Sequence, residues 1–396
     1  MNLPLLLTHR AGWGGAELTL LDLFDGLPRE EWHVSAAVSP GIFSDRLAVL
    51  GADVQRVDFP AWRKGRDLFR NWLCLRAMSR LASSVSARLV IAGDIRTVPY
   101  AVRAAEKNNC PCLAFIQDPA IKERHIKAYR VHRADRVICP SKQHLRLVRS
   151  GGVKDDRSLL MPVGIDTERF HPGVDGSQMR HEWMLRDDAV IVGCAGSISR
   201  LKGQDILLEA ILPILEEDRR VQLVFVGSGQ QGFIEDLKNQ AGTFLESGQI
   251  RFVEWQEDIP AVLAAMDVIV VPSRSESFSR ATAEAMASGK PVVATQTGAI
   301  EELLDCNQCG LSVPVENPQA LREALRALLS NPDLRTRLGN AGAERIRQSF
   351  ALRDMQRSFR EIVQSLCLPL AHESDRSTSR DAGNVIKLRR DTETQR

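Results

Sequence analysis

The segment 268–304 constrains the fold more than any other part of the chain, because two apolar runs flank a short helical pattern there. Residues 269–271 end a β-branched apolar run, which predicts a buried parallel strand. Residues 281–287 are good helix formers followed by a Ser-Gly stop, and 291–295 form the next apolar run. The segment therefore predicts a strand–helix–strand unit. Its first loop lies at the carboxyl end of a strand, where open α/β sheets bind ligands.

Two acidic residues flank the predicted helix start. Glu276 lies in the loop, and Glu284 follows eight residues later on the helix. The backbone N–H groups near Ser279 and Arg280 are free donors that favour an anion. A carboxylate on each side of that anion suits a phosphate ester with hydroxyls at both ends, such as a nucleotide sugar. We expect Glu284 to accept from a ribose diol and Glu276 from the sugar. Two solvated surface glutamates are the alternative at this stage.

The stretch 276–295 resembles the E-x7-E motif of family 4 glycosyltransferases, which have the GT-B fold. Phe278 matches the family's E-G-F-G loop, while Ser277 and Ser279 stand where the family has glycine. In the family, the backbone of this loop approaches the donor phosphates. The resemblance therefore implies that Phe278, Ser279 and Arg280 bind phosphate.

The resemblance extends over roughly residues 5–367. Gly14 and Gly15 belong to a G-G-A-E stretch that faces the cleft between domains in the family, and two glycines allow close backbone approach to a ligand. Residues 161–172 resemble the family's linker into the second domain. The resemblance implies two Rossmann-like, doubly wound α/β domains that face a cleft, with a C-terminal helix that crosses back to the first domain.

The loop from Gly196 to Gly203 carries a basic pair between a predicted strand and a predicted helix. Two cations and a helix N-terminus can stabilise the charge of a diphosphate leaving group. Lys202 matches the lysine of the family's G-R…K-G pattern, and Arg200 offers a cation close to Ser197, where the family has arginine. A solvated loop pair is the alternative.

Two other motifs bear on the chemistry. Gln117 and Asp118 follow a strand where the family commonly has a His-containing pair near the reacting sugar. A glutamine can hydrogen-bond a sugar hydroxyl but cannot shuttle protons at neutral pH. Residues 227–232 spell G-x-G-x-x-G, which is also a dinucleotide motif, but it follows the second strand of its domain rather than the first. The resemblance instead puts Gly227 in the nucleotide pocket.

The domain prediction follows from alternating strand and helix patterns. We expect a first domain at 1–168 completed by a helix at 352–368, and a nucleotide-sugar-binding domain at 169–351. The polar tail 371–396 is expected to be disordered. The net charge of +2 does not indicate nucleic-acid binding. No run of 18 apolar residues occurs, so we expect no membrane-spanning helix.

Two segments, 63–80 and 122–136, are unusually basic, and the first also carries Leu68, Trp72, Leu75 and Met78 at helical spacing. The sharper interpretation is a docking surface for an anionic membrane or a lipid-phosphate acceptor. The alternative is a solvated helix face. We expect a cytoplasmic protein, peripheral at the inner membrane face.

The resemblance implies transfer of a sugar from a nucleotide diphosphate donor to a glycan or lipid-linked acceptor with retention, in cell-surface polysaccharide or lipopolysaccharide assembly. It implies no cofactor and no required metal, in agreement with the lack of a D-x-D at a strand end. The alternatives are an inactive nucleotide-sugar-binding subunit, a nucleotide-sugar epimerase of similar fold, and an oxidoreductase. The expected catalytic residues are Lys202, Glu276 and Arg200. The expected donor-binding residues are Gly14, Gly15, Gly196, Lys202, Gly227, Phe278, Ser279, Arg280 and Glu284, and Gln117 and Asp118 are expected to contact the sugar.

Overall fold

The first of two parallel sheets contains seven strands. The structure is a computed structural model that describes residues 3–62 and 67–367. The strands follow the order β3-β2-β1-β4-β5-β6-β7, and every pair is parallel. Their bounds are β1 Pro4–Thr8, β2 Ser35–Val38, β3 Asp53–Arg56, β4 Leu89–Ala92, β5 Cys112–Phe115, β6 Arg136–Cys139 and β7 Ser158–Leu160.

The second sheet contains six parallel strands in the order β10-β9-β8-β11-β12-β13. Their bounds are β8 Val190–Ala195, β9 Val221–Val226, β10 Ile250–Val253, β11 Val268–Val271, β12 Val292–Thr295 and β13 Leu311–Val313. The predicted strand–helix–strand unit is confirmed as β11, a helix and β12. The edge strand β13 was not predicted from the sequence.

Helices cover both faces of each sheet, as an all-parallel sheet requires. Short 3-10 turns at Val131–Arg133, Asp155–Arg157 and Arg200–Lys202 complete the described elements. The helices of the first half are α1 Gly15–Asp25, α2 Ile42–Val49, α3 Leu68–Ser84, α4 Val98–Asn108, α5 Glu123–Ala128, α6 Lys142–Ser150 and α7 Ser177–Glu182. Those of the second half are α8 Gln204–Glu217, α9 Gln231–Ala241, α10 Thr243–Glu246, α11 Ile259–Ala264, α12 Arg280–Ala287, α13 Ile300–Leu304, α14 Pro318–Leu329, α15 Pro332–Ser349 and α16 Leu352–Cys367.

The last helix, α16, returns to the first domain. Its Phe359 is fully buried, with ring centroids 6.0 Å from Phe24 and 5.9 Å from Phe115. Two crossings of the chain between domains lie side by side, because Ile165 N–H donates to the Phe350 carbonyl at 2.8 Å and Leu352 N–H to the Ile165 carbonyl at 2.9 Å. The predicted return of the C-terminal helix is thus observed.

Some expectations are changed or left untested. The helix expected over 63–80 begins at Leu68, and residues 63–66 lie outside the described residues, as do residue 368 and the tail 371–396. The boundary at 168/169 stays a prediction, because it falls between β7 and β8 and belongs to neither sheet. None of the helices within 3–62 and 67–367 has the length and hydropathy to cross a bilayer.

Candidate functional site

A cavity of about 700 Å³ lies between the two domains, at the carboxyl ends of strands from both sheets. It is lined by eleven of the site residues predicted from the sequence: Gly14, Gly15, Gln117, Gly196, Lys202, Gly227, Glu276, Phe278, Ser279, Arg280 and Glu284. Arg200 and Asp118 are not part of the lining. The cavity therefore brings together residues that are far apart in the sequence.

An ion pair joins the two loops of the second domain that enter the cavity. Lys202 Nζ lies 2.7 Å from Glu276 Oε1, and Ser273 Oγ donates to the same oxygen at 2.7 Å. The Glu276 backbone N–H donates to Thr297 Oγ1 at 2.9 Å. Glu276 is thus held by three side chains of its own domain, and the lysine beside it keeps 32% of its side chain exposed.

The lysine loop is fixed by a close backbone contact. Gly203 has φ 70°, and a Cβ at this position would lie 2.0 Å from the Pro272 carbonyl oxygen. Pro272 follows β11 directly, so the loop before α8 packs on the end of that strand. Only glycine fits this conformation and this spacing, which ties the position of Lys202 to the central strand of the sheet.

Helix α12 begins inside the cavity at an unusual residue. Ser279 precedes the helix with φ 88° and ψ 73°, a left-handed conformation that favours glycine. Its Oγ lies 2.9 Å from Thr282 Oγ1, and Phe278 beside it packs on Phe350 with centroids 5.9 Å apart. The family's glycine preference at this position therefore has a conformational cause, and serine adopts the same kind of backbone here.

An arginine links the far end of the site to the first domain. Arg280 Nε lies 2.6 Å from Glu284 Oε1, and its Nη1 lies 2.6 Å from Oδ2 of Asp22 on α1. Burial raises the pKa of Glu284 and of Asp22, and the arginine offsets this only in part. Two partly buried carboxylates, one from each domain, therefore share one cation across the cleft.

The first domain supplies a second partly buried cation. Arg10 lines the cavity and lies 3.2 Å from Asp118 Oδ1 and 3.5 Å from Glu17 Oε1. Burial lowers the pKa of Arg10, but the carboxylates of Asp118, Asp94 and Glu17 outweigh that effect and raise it, so the side chain stays charged. Asp118 thus positions Arg10 rather than facing the cavity.

Gln117 is buried on the wall of the cavity, where its amide donates to the Ala16 carbonyl at 3.4 Å. That contact joins it to the glycine turn at the start of α1. Gly15 lies on the same wall, and a Cβ added to it would lie 3.5 Å from Cβ of Arg280 across the cleft. The glycine turn thus brings the first domain against the start of α12.

Arg200 points away from the cavity. Its side chain is 71% exposed, lies 3.7 Å from Asp236 and stacks on Phe233 at 5.3 Å. One residue separates it from Lys202 in a single 3-10 turn, so the two side chains leave the backbone in different directions.

Sequence reasoning missed several cavity residues. Arg10 belongs to no motif, whereas Ser273 lies three residues before Glu276 and could have been noticed. Asp22, which pairs with Arg280 but does not line the cavity, also belongs to no motif. Direct contacts also close the cleft: Ser275 Oγ donates to the Pro119 carbonyl at 2.7 Å, and Gly298 N–H donates to Gln143 Oε1 at 2.7 Å. Within the described part of the chain, no group of three or more His, Cys, Asp or Glu is arranged to hold a metal.

Comparison with known proteins adds two family matches. Residues 13–169 match the model of Glycosyltransferase Family 4, and residues 189–331 match that of Glycosyl transferases group 1. A D-inositol 3-phosphate glycosyltransferase of Corynebacterium jeikeium is 31% identical over 260 residues, which are 62% of this chain and 62% of that protein. The lipopolysaccharide core biosynthesis mannosyltransferase LpsB of Rhizobium meliloti is 28% identical over 264 residues, which are 64% of this chain and 73% of LpsB.

The match to the inositol-phosphate relative thus covers less than two thirds of that protein's length. Among solved structures, HepE of Anabaena in complex with UDP superposes with a TM-score of 0.81 at 21% identity, over 92% of this chain and 100% of that chain. This likeness establishes the GT-B fold, with two Rossmann-like domains and a cleft between them. Both halves of the chain match the same kind of enzyme, and the chain therefore belongs to the family 4, group 1 glycosyltransferases.

Proposed function

We propose that the protein is a retaining glycosyltransferase that moves a hexose from a nucleoside diphosphate donor to a glycan or lipid-linked acceptor, in the assembly of a cell-surface polysaccharide. The observation that carries the proposal is the cavity between the domains, in which Lys202, Glu276 and Glu284 line one space. Family membership supports the reaction class, and the similarity to an inositol-phosphate glycosyltransferase and to the lipopolysaccharide mannosyltransferase LpsB supports an acceptor of this kind.

The donor diphosphate binds at the start of α12 in this proposal. The first backbone N–H groups of that helix, near Ser279 and Arg280, point along the helix axis and favour negative charge. HepE has the same fold and was solved in complex with UDP-glucose, which supports a nucleotide sugar as the ligand. Gly196 and Gly227 line the cavity as well, and their lack of side chains leaves room for a nucleotide.

Lys202 stabilises the leaving group. In the structure its charge is balanced by Glu276 at 2.7 Å. A diphosphate that binds beside the lysine adds a second anion, and the charge on its leaving oxygen grows as the glycosidic bond breaks. An already positioned cation stabilises that growing charge without reorganisation at the moment of reaction. Glu276 is then free to accept a hydrogen bond from a hydroxyl of the donor sugar.

Glu284 accepts from the ribose hydroxyls. Arg280 already holds one of its oxygens at 2.6 Å, which orients the carboxylate toward the cavity. A charge-assisted hydrogen bond contributes about 1.5–3 kcal/mol. We propose that Lys202 and the start of α12 stabilise the leaving-group charge without a metal. The enzyme is therefore expected to keep full activity in excess EDTA. A loss of activity that Mg²⁺ restores would reject this part of the proposal.

The proposal is tested by ligand-induced thermal stabilisation with nucleotide sugars of different bases. We expect one base to raise the melting temperature of the protein, and Glu284→Gln to weaken that response. Incubation of the selected donor with candidate acceptors, followed by NMR of the product's anomeric proton, then tests transfer and retention. If none of the nucleotide sugars stabilises the protein, the proposed activity is refuted.

A catalytically inactive nucleotide-sugar-binding subunit is the second candidate. It is favoured by Gln117, because a buried amide on the cavity wall cannot take up or release a proton at neutral pH. Both candidates predict donor binding. Slow hydrolysis of the bound donor in the absence of an acceptor distinguishes the enzyme from the binding subunit.

We also propose a peripheral contact with an anionic membrane through the basic segments of the first domain, at the inner face of the membrane. This part is independent of the cavity, since it concerns the outer surface of the first domain.

A further inference from the structure

Helix α3 exposes a cluster of large apolar side chains. Leu68, Phe69, Trp72 and Leu73 are each between 46% and 70% exposed. They make up four of the ten large exposed hydrophobic residues in the described chain, and all four lie in the first two turns of one helix. Scattered exposed apolar residues are ordinary, whereas a contiguous group of this kind marks a binding surface.

The opposite face of α3 packs against the core of the first domain. Asn71, Cys74 and Met78 are buried against the first domain, and Asn71 accepts a hydrogen bond from the buried Tyr100 of α4. The helix is therefore anchored without its exposed residues. The exposed cluster is not part of the domain's hydrophobic core. Its side chains contact each other instead, and the rings of Phe69 and Trp72 stack with centroids 6.1 Å apart.

Cations accompany this apolar cluster. The guanidinium of Arg76 lies over the Trp72 ring at 4.6 Å, and Arg70 and Arg80 are exposed on the same helix. Asp67 is the one acidic residue among 67–80. Aromatic rings bordered by arginines suit the boundary between lipid headgroups and acyl chains.

The second basic segment adjoins α3 through a tryptophan. Trp62 Nε1 donates to the Ala128 carbonyl at 3.2 Å, and the guanidinium of Arg130 lies 5.7 Å from the Trp62 ring. Trp62 also packs on Tyr100, whose hydroxyl contacts α3. The two basic segments, which are separate in the sequence, therefore belong to one surface.

This surface lies on the same side of the first domain as the cavity. All strands of the first sheet are parallel, so a helix that follows a strand begins at their carboxyl edge, where the cavity is. The exposed apolar residues occupy the first turns of α3. Helix α5 begins four residues after Pro119, which lines the cavity.

We propose that this α3 surface, formed by Leu68, Phe69, Trp72 and Leu73 with Arg70, Arg76 and Arg130, docks on the face of an anionic bilayer. The apolar side chains enter the interface, and the arginines contact the lipid phosphates. The contact sets the cleft against the membrane, so that an acceptor anchored in lipid reaches the cavity without leaving the bilayer. This last consequence rests on the proposed function, whereas the membrane contact itself does not.

Co-sedimentation of the full chain with vesicles tests the proposal. Vesicles of phosphatidylcholine containing phosphatidylglycerol are compared with vesicles of phosphatidylcholine alone. We expect binding to the anionic vesicles and at least tenfold weaker binding to the neutral ones, since each arginine near an anionic surface contributes about fivefold in affinity. Equal binding to both vesicles, or binding to neither, overturns the proposal.

Two variants identify the surface. Phe69→Ser/Trp72→Ser removes two apolar side chains and is expected to weaken binding by on the order of tenfold or more. Arg70→Glu/Arg76→Glu is expected to abolish the preference for phosphatidylglycerol. Both pairs are exposed, so the unfolding temperature should stay the same, and that is measured in parallel.

The matched controls lie on the second domain. Met184 is 72% exposed and Arg219 is exposed, and Met184→Ser/Arg219→Glu changes the same kinds of side chain away from α3. These controls are expected to bind vesicles like the unchanged protein. A loss in the controls as large as that in the α3 variants refutes the assignment of the surface. Donor-induced thermal stabilisation of the α3 variants tests the cavity separately, so failure of one proposal leaves the other measurable.

Discussion

Replacing Lys202 by alanine, with Arg200→Ala in parallel, gives the sharpest test of the cavity. The two cations lie in one 3-10 turn, and the sequence makes both of them candidates for stabilising the leaving-group charge. The structure puts Lys202 on the cavity wall beside Glu276 and turns Arg200 toward Asp236 on the outside. We expect the two variants to differ strongly in turnover.

The expected magnitude follows from charge and exposure. Two unit charges about 4 Å apart attract by roughly 4 kcal/mol at an effective dielectric constant of about 20. Lys202 is 32% exposed and also faces Glu276, so part of this attraction is screened. About 2.7 kcal/mol then remains for the charge that grows on the leaving group, which corresponds to on the order of 10²-fold in turnover.

The arginine variant has a much smaller expected effect. Arg200 is 71% exposed and its partner Asp236 lies 3.7 Å away. Exposed ion pairs contribute about 0–1 kcal/mol, and this pair does not reach the donor. We expect turnover of Arg200→Ala within about threefold of the unchanged protein.

The assay is the initial rate of nucleoside diphosphate release at saturating donor and acceptor. Lys202→Arg serves as a charge-preserving comparison and is expected to retain more turnover than Lys202→Ala. Circular dichroism and the melting temperature verify that each variant is folded. Unchanged turnover in Lys202→Ala, or a larger loss in Arg200→Ala than in Lys202→Ala, refutes the assignment of the leaving-group cation.

Three further predictions concern the walls of the cavity. Glu284→Gln is expected to raise the donor KM by roughly tenfold with a smaller change in kcat, because the lost hydrogen bond to ribose exists before and during reaction; initial rates over donor concentration measure this, and an unchanged KM contradicts it. Gly203→Ala is expected to cost about 1–3 kcal/mol in urea unfolding, because its methyl group would lie 2.0 Å from the Pro272 oxygen at φ 70°; unchanged stability would show that the loop adapts. Burial raises the pKa of Asp22 and Glu284 in the folded protein, so folding is favoured while these carboxyl groups are protonated. Their contribution to the free energy of unfolding is fully present below the ordinary carboxyl pKa of about 4 and is lost as pH rises through the raised values. Asp22→Asn should flatten that dependence in denaturant titrations at several pH values, and the same slope in both proteins rejects it.

The parallel sheets could be predicted because burial on both faces produces continuous apolar runs, as in β9 and β11, where every residue is buried. The strand β13 escaped notice for the opposite reason. It has three residues at an edge and only Val313 is buried, so it lacks a recognisable run. The exposed start of α3 also differs from the expectation. Met78 is buried and Trp72 is exposed, so the predicted apolar stripe divides between two faces of the helix.

The site could be predicted where its residues follow the end of a strand and lie close to one another in the sequence. Glu276 and Glu284 belong to one strand–helix turn, and Lys202 follows another strand. The partner of Arg280 could not be found in this way, because Asp22 lies 258 positions away in the sequence. The choice between Lys202 and Arg200 depends on side-chain direction within one turn, which spacing alone does not determine.

The paired crossings at Ile165 and Ala351 determine how the domains can move. Both connections pass through one point, where their backbones are hydrogen-bonded, and a Cβ on Gly164 would lie only 2.7 Å from the Leu352 Cα. We expect two connections joined in this way to act as a hinge, which would restrict opening to rotation about one axis. The Arg280–Asp22 ion pair and the Ser275–Pro119 and Gly298–Gln143 hydrogen bonds all bridge the two domains, so the cleft can open only when these three contacts are released together.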